Sequence, residues 1–244
     1  MHLKPKKHLG QNFLLDNNIS KKIIKLLNCK KTDSIIEIGP GMGALTILLA
    51  THCKFLYAVE IDNNLCDYLN NKTIPNLKVI HADILKLNPQ YLKGIHYFVG
   101  NLPYNIASQI IIYLLKNLTN WKRMVFMVQS EMAERILSEC GSKNYGRLGV
   151  ICQTLAHTYS HHKISPNVFF PKPKVNSTII SLEKKNIDTM INQKTINLYF
   201  DFIRIAFSQR RKKIKNCFKN KYDSFDLGNL KELRAQDISI DEYI

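Results

Sequence analysis

Acids are scarce in this chain. Thirty-five lysines and arginines face 19 aspartates and glutamates, for a formal net charge of +16 and a pI near 9.6. That imbalance points to a polyanionic partner, most simply nucleic acid. An anionic membrane surface would call for a basic amphipathic helix with Trp or Phe on its other face. The one tryptophan, Trp121, lies elsewhere, in a predicted strand. Paired cysteines are lacking too. Cys29, Cys53, Cys66, Cys140, Cys152 and Cys217 form no C-x-x-C, and most sit in apolar surroundings. They read as reduced thiols of a cytosolic protein, which excludes a disulfide framework or a zinc site. No apolar run reaches the length of a membrane span. The early lysines are not followed by the apolar stretch of a signal peptide, and the start is not Arg-rich like a transit peptide. Repeats and low-complexity linkers are absent. At 244 residues and 45% hydrophobic content, there is room for one large domain, or a medium one with a small companion, around a sizeable core.

What is present is an alternation. A basic arm (His2, Lys4, Lys6, Lys7, His8) leads into Gln11-Asn12-Phe13-Leu14. Ile19, Ile23, Ile24, Leu26 and Leu27 recur at helical spacing behind Asp16 and Asn17 as caps. Strands are predicted over 34–38, 55–60, 77–81, 96–100 and 124–129, and helices over 43–51, 63–71, 107–116 and 131–139. That order predicts an α/β fold, a parallel sheet with helices on both faces. After Gly141 the runs 148–156 and 175–182 read as strands, added antiparallel at one edge. From about Lys184 the character shifts, and 196–219 reads as one long helix in a small C-terminal domain.

Three places carry chemistry. Asn101-Leu102-Pro103-Tyr104 follows an apolar strand that Pro103 cannot continue, and Ile106, Ile110, Ile111 and Leu114 then recur at helical spacing. It is a strand-to-helix turn at the carboxyl end of a strand, where open α/β sheets bind ligands. The turn offers an amide, backbone carbonyls and an aromatic face, which suit a flat base with an exocyclic amine. The plainer reading is that Asn and Pro only punctuate a turn. Second, Glu37-Ile38-Gly39-Pro40-Gly41-Met42-Gly43 ends one strand and opens a helix, and Glu60 ends the next strand 21 residues after Gly39. Glycines there let a ligand lie against the backbone, and the carboxylate can accept ribose hydroxyls. NAD and S-adenosylmethionine both satisfy this pattern. Leu45, where the dinucleotide motif has a third glycine, and Asp83 just past the third strand favour S-adenosylmethionine. A carboxylate at Asp83 can accept an adenine amine, although alone it reads as a helix cap. Third, eight basic residues and no acid lie between Arg204 and Lys221. Arg204, Arg211 and Lys215 share one predicted helical face and Ile203, Phe207, Ile214 and Phe218 another. This reads as a phosphate-binding surface rather than a merely solvated face, with Arg147 as a further RNA contact. The histidines, His157, His161 and His162 among them, show no metal-ligand spacing.

Together these motifs resemble the ribosomal RNA adenine N6-dimethyltransferases. Gln11–Leu14, Glu37–Gly41, Val59-Glu60, Ala82-Asp83 and Asn101–Tyr104 stand in the order of that family, as do Tyr145–Leu148, Phe169–Ser177 and Ala206–Lys212. The resemblance runs from about residue 8 to the end and is nearest the small-subunit enzyme that dimethylates two adjacent adenosines in the 3′-terminal hairpin of 16S RNA. It implies a Rossmann-like class I methyltransferase sheet over 1–185, a helical RNA-binding domain over 186–244, and S-adenosylmethionine as cofactor. Asn12 and Leu14 would close over the cofactor, Gly39 would meet its methionine portion, Glu60 its ribose and Asp83 its adenine. Asn101 would lie between cofactor and target amine. Tyr104 and Phe169 would stack on the flipped adenine, and Arg147, Arg210, Arg211 and Lys212 would hold RNA. The expected partner is 16S rRNA in the immature small subunit, met by a cytoplasmic monomer that needs neither metal nor membrane. Asn176, where the family often carries Asp, and a short C-terminal domain are departures. The alternatives are the large-subunit enzyme of macrolide resistance and a non-catalytic assembly factor.

Overall fold

The computed structural model describes residues 4–187, 191–192, 194–219 and 227–243. Met1, His2 and Lys221, parts of the basic arm and basic run, lie outside the described residues. The chain forms two compact units, Met1–Ala133 with Tyr159–Glu183, and Glu134–Thr158 with Lys184–Ile244. The division does not follow a single cut near residue 185, because 134–158 packs with the C-terminal residues.

The first unit begins with a short strand, β1 (Phe13–Leu14), and helix α1 (Asn17–Leu27), whose N-cap Asp16 accepts from the Asn18 amide. Strands and helices then alternate: β2 (Ser34–Ile38), α2 (Thr46–Ala50), β3 (Phe55–Glu60), α3 (Asn63–Asn70), β4 (Leu77–His81), β5 (Tyr97–Asn101), α4 (Ala107–Asn117), β6 (Arg123–Gln129) and α5 (Ser130–Ile136). β4, β3, β2, β5 and β6 pair in parallel in that order. Burial on both faces explains why β2, β5 and β6 are near-continuous apolar runs rather than alternating ones. The order reverses direction beside β2 and β5, so their carboxyl ends open a crevice at the switch point. Gly100 is required there, since a Cβ would stand 2.4 Å from the Ile38 carbonyl oxygen of the neighbouring strand. Trp121 is buried just ahead of β6.

The edge differs from expectation. The run 148–156 is not the expected strand, for α6 spans Arg147–Leu155 and only Ala156 is extended. The edge strands are β7 (Ala156–Ile164), which carries the His-rich segment, and β9 (Ser177–Lys184), which follows the two-residue β8 (Phe169–Phe170). β9 pairs antiparallel with β6, with Arg123 opposite Glu183 and an ion pair of 2.6 Å between them, and β7 lies beyond β9. On β7, His161 shares a 2.8 Å hydrogen bond with the Ser181 hydroxyl.

The second unit contains α6 and two further helices, α7 (Ile196–Ala206) and α8 (Ile214–Phe218). The expected single helix over 196–219 is therefore broken, by a short 3-10 turn at Phe207–Gln209 and by Lys213, which bridges to Arg234. The face shared by Arg204, Arg211 and Lys215 does not survive that break. The Tyr199 hydroxyl donates to Thr154 Oγ1 at 2.8 Å and the buried Tyr145 hydroxyl to the Ile238 carbonyl at 2.9 Å. These bonds tie α7 to α6 and the final residues to the loop before α6.

Candidate active site

At the carboxyl ends of β2, β3 and β5 lies an open cleft of about 990 Å³, solvent in its mouth included. Its wall brings together Asn12, Leu14, Gly39, Glu60, Asp83, Asn101 and Tyr104, seven of the residues singled out in the sequence. The glycine loop after β2 turns through left-handed backbone at Gly39 and Gly41, φ +67° and +58°. At Gly41 an added Cβ would also stand 3.0 Å from the Phe13 ring, so the loop takes only glycine there.

Glu60 is 5% exposed, and backbone amides bind its carboxylate. Oε1 accepts from Ile61 and Asp62 at 2.9 Å each, and Oε2 from Gly41 at 3.3 Å. Burial raises its pKa, and these amide bonds oppose the rise. The side chain is thereby fixed at the cleft, and Oε2, which accepts a single amide, keeps lone-pair capacity for a hydroxyl. Asp83 serves both as cap and as cleft wall. Its Oδ1 caps the following turn through Leu85 N at 3.0 Å, and the residue lines the cleft.

A strap formed by residues 6–14 borders the cleft. Lys6 Nζ and Gln11 Nε2 donate to the two oxygens of buried Asp62 at 2.7 and 2.9 Å, and Asp62 also caps α3 through Asn64 N. Burial alone would raise the Asp62 carboxyl, but the bonds from Lys6 and Gln11 outweigh it and hold it below its ordinary range. At the strap's inner end the Asn12 carbonyl accepts from Asn101 Nδ2 at 2.8 Å. A carbonyl can only accept, so this bond fixes the orientation of the Asn101 amide. Asn101 Oδ1 is left buried and without a partner. In the same turn the Tyr104 hydroxyl shares a 2.6 Å bond with Ser177, and burial raises its pKa.

Two expectations from the sequence need correction. Phe169 does not line the cleft beside Tyr104. It is 3% exposed and packs in the core cluster with Leu14, Ile164 and Ile179. β8 pairs with β1, Leu14 opposite Phe169 and Phe13 opposite Phe170, and it is Phe170 that is 55% exposed. The basic run is also less free than its sequence suggests. Arg210 Nη1 donates to the carbonyls of Lys143 and Tyr145, in the loop just before Arg147. Lys213 and Lys215 both pair with Glu232, at 2.9 and 2.6 Å, and Arg204 with Asp201. Arg211 and Lys212 are exposed. Arg147 opens α6 half-buried, with Nε buried and unpartnered; burial and then the Arg204 charge lower its pKa.

Glu37 joins the site, although the sequence assigns it no role beyond opening the glycine motif. It is 2% exposed at the end of β2, lines the cleft, and has an unpartnered Oε2. Burial pushes its carboxyl up to about 8, with the Thr46 hydroxyl opposing and the Glu60 charge adding. The available signal was one ionisable residue in an otherwise apolar parallel strand. Among the described residues no group of His, Cys, Asp and Glu could hold a metal, and no helix is long and apolar enough to cross a membrane.

The family model for ribosomal RNA adenine dimethylase matches residues 2–239. The chain belongs to that family. It is 38% identical to ribosomal RNA small subunit methyltransferase A of Francisella tularensis subsp. novicida, covering 99% of this chain and 95% of the relative. It is 39% identical to the Clostridium botulinum (strain Okra / Type B1) protein of the same name, over 88% and 79%. Among solved structures, a dimethyladenosine transferase from Plasmodium falciparum superposes with a TM-score of 0.80 at 25% identity, covering 95% and 94% of the two chains. A 23S rRNA methyltransferase shares the fold, with a TM-score of 0.69 at 24% identity, over 95% and 96%. As a member, the chain is an S-adenosylmethionine-dependent rRNA adenine dimethyltransferase with the class I methyltransferase sheet. Its cleft fits that cofactor. The glycine loop leaves room against the backbone, Glu60 presents a fixed carboxylate, and Asn101 Oδ1 awaits a donor.

Proposed function

We propose that this dimethylase methylates N6 of two adjacent adenosines in the 3′-terminal hairpin of 16S rRNA, acting as a cytoplasmic monomer on the immature small subunit. Two small-subunit methyltransferases, each similar over most of its own length, support that choice of substrate over the large-subunit RNA. Glu60 would accept the ribose hydroxyls of S-adenosylmethionine and Asp83 its adenine amine. Gly39 would lie against its methionine portion, and Asn12 and Leu14 would cover it. When bound, the cofactor supplies a methyl group on a sulfonium. Arg211 and Lys212, exposed in the helical unit, would face the RNA with Arg147, and Arg210 would brace the loop just before Arg147.

The observation that carries the mechanism is the unpartnered Asn101 Oδ1. Adenine N6 is a weak nucleophile because its lone pair is delocalised into the ring. Asn101 Oδ1 and the Leu102 carbonyl would each accept one N–H of the amine. The Pro103 carbonyl already accepts from Ile106 N at 3.1 Å. Two acceptors on the amine favour a pyramidal nitrogen and stabilise the positive charge that develops as the methyl group arrives. Acceleration by positioning and fixed dipoles requires no separate general base. The Tyr104 ring, its hydroxyl anchored on Ser177, would hold the face of the flipped base. The test is methyl transfer from labelled S-adenosylmethionine to immature small subunits and to large subunits offered together, followed by nucleoside analysis of each RNA. Label in N6,N6-dimethyladenosine of small-subunit RNA is expected. Label confined to large-subunit RNA, or no transfer at all, would refute the proposal.

A further inference from the structure

The segment from Phe169 to Ser177 is fastened to the cleft at both ends. At one end Phe170 is paired with Phe13, the strap residue that packs on Gly41 and adjoins Asn12. At the other the Ser177 hydroxyl bonds to Tyr104, and the preceding Asn176 carbonyl accepts from Ser130 N at 3.0 Å. The residues between therefore lie beside the cleft that, on the reading above, takes the target base. They expose Phe170 (55%), Val175 (44%), Lys172 and Lys174, and Leu15 (56%) adjoins them, its N–H donating to the carbonyl of Val168 just before them. Neither lysine has an ion pair among the described residues, and no acid occurs from Phe169 to Leu182. Glu131 borders the shallow groove beneath Lys174 and Val175 and is the one acid there among the described residues.

We propose that this rim binds the nucleotides flanking the target adenosine, with a neighbouring base stacked on Phe170 and the phosphates held by Lys172 and Lys174. The proposal rests on the RNA reading above. A base that enters the cleft has left its stack, so its neighbours are locally single-stranded. Single strands are held by a π-face for a base and cations for the backbone, and this rim offers both at the required place. The alternation of β8 explains the two aromatics in succession: Phe169 fills the core against Leu14, and Phe170 faces out.

The test uses the full chain and a synthetic RNA hairpin with two adjacent adenosines in its loop. Phe170→Ala should raise KM for RNA by roughly 5- to 140-fold, the range of one lost base stack. Its kcat and its calorimetric affinity for S-adenosylmethionine should barely change, and Phe170→Tyr should restore KM. The pair Lys172→Gln and Lys174→Gln should flatten the log–log salt dependence of RNA binding by about 0.7 per lysine. Wild-type KM in Phe170→Ala, a defect that Phe170→Tyr leaves in place, or an unaltered salt slope would each overturn the inference. A wild-type protein that methylates no RNA would instead remove the reading beneath it.

Discussion

Asn101 has two polar ends, and the fold uses only one. Nδ2 is held by the Asn12 carbonyl, which leaves Oδ1 as a buried acceptor with nothing to accept from. A buried unpaired acceptor costs about 1–3 kcal/mol, so its retention fits a site that is completed by a ligand donor. That acceptor strengthens its bond as N6 becomes cationic, and so acts on the transition state more than on bound substrate. Asn101→Ala should therefore bind RNA nearly as wild type yet methylate about 10²–10³ times more slowly in single-turnover assays. A near-wild-type rate would return the tetrapeptide to a plain turn. The residue types at this turn were legible because Pro103 must end a strand and Asn101 must then stand at its carboxyl end. The burial of Phe169 was not. A two-residue strand takes its inward face from its partner, and nothing local in the sequence sets Leu14 opposite Phe169 rather than Phe170.

Among the elements, β2 carries an internal conflict, a carboxyl buried at the end of an apolar parallel strand. Glu37 has an ordinary pKa of 4.5 and is pushed to about 8 in the fold. Between those values the unfolded chain loses a proton that the folded chain keeps. Stability from this group is thus fully present below 4.5 and is lost as pH rises toward 8, at no more than about 1.4 kcal/mol per pH unit. In cofactor-free protein, Glu37→Gln should remove that slope from urea-unfolding free energies measured across the interval. A slope equal to wild type would mean that Glu37 is ionised in the fold. The elements differ in how far sequence exposes them. The parallel strands were legible because apolar β-branched runs bounded by turn residues have few other fates in a chain of this length. α6 was not, since the run Leu148–Ala156 is apolar almost throughout and has no clear period to separate helix from strand. Packing within the second unit decides it, through bonds such as Tyr199 to Thr154 that span 45 residues. The break between α7 and α8 escaped for a related reason, because Lys213 leaves the helix to bridge Arg234 far along the chain.

For the molecule as a whole, the excess of 16 positive charges is informative only once internal partners are subtracted. Arg210 is engaged by the carbonyls of Lys143 and Tyr145, and Lys213 and Lys215 converge on Glu232, whose carboxyl their hydrogen bonds pull down to about 2. Of the cluster read as a phosphate surface, Arg211, Lys212 and Lys219 remain exposed, with no acidic partner among the described residues, and the first two are adjacent. Counterion release scales with the phosphates actually neutralised, not with the number of basic residues. The double variant Arg211→Gln and Lys212→Gln should therefore weaken RNA binding and reduce the log–log salt slope by about 0.7–0.9 for each phosphate no longer neutralised. Its affinity for S-adenosylmethionine should not move, since both residues belong to the helical unit and the cofactor cleft is built wholly within the other. Lys213→Gln with Lys215→Gln should change the slope less, because Glu232 already neutralises part of that charge. Arg210→Gln should show itself chiefly as lost stability of the loop before α6, through faster amide exchange at 143–146 rather than a shallower salt slope. Equal changes in slope for all three variants would show that the cluster acts as diffuse charge and that its internal pairing has no bearing on RNA affinity.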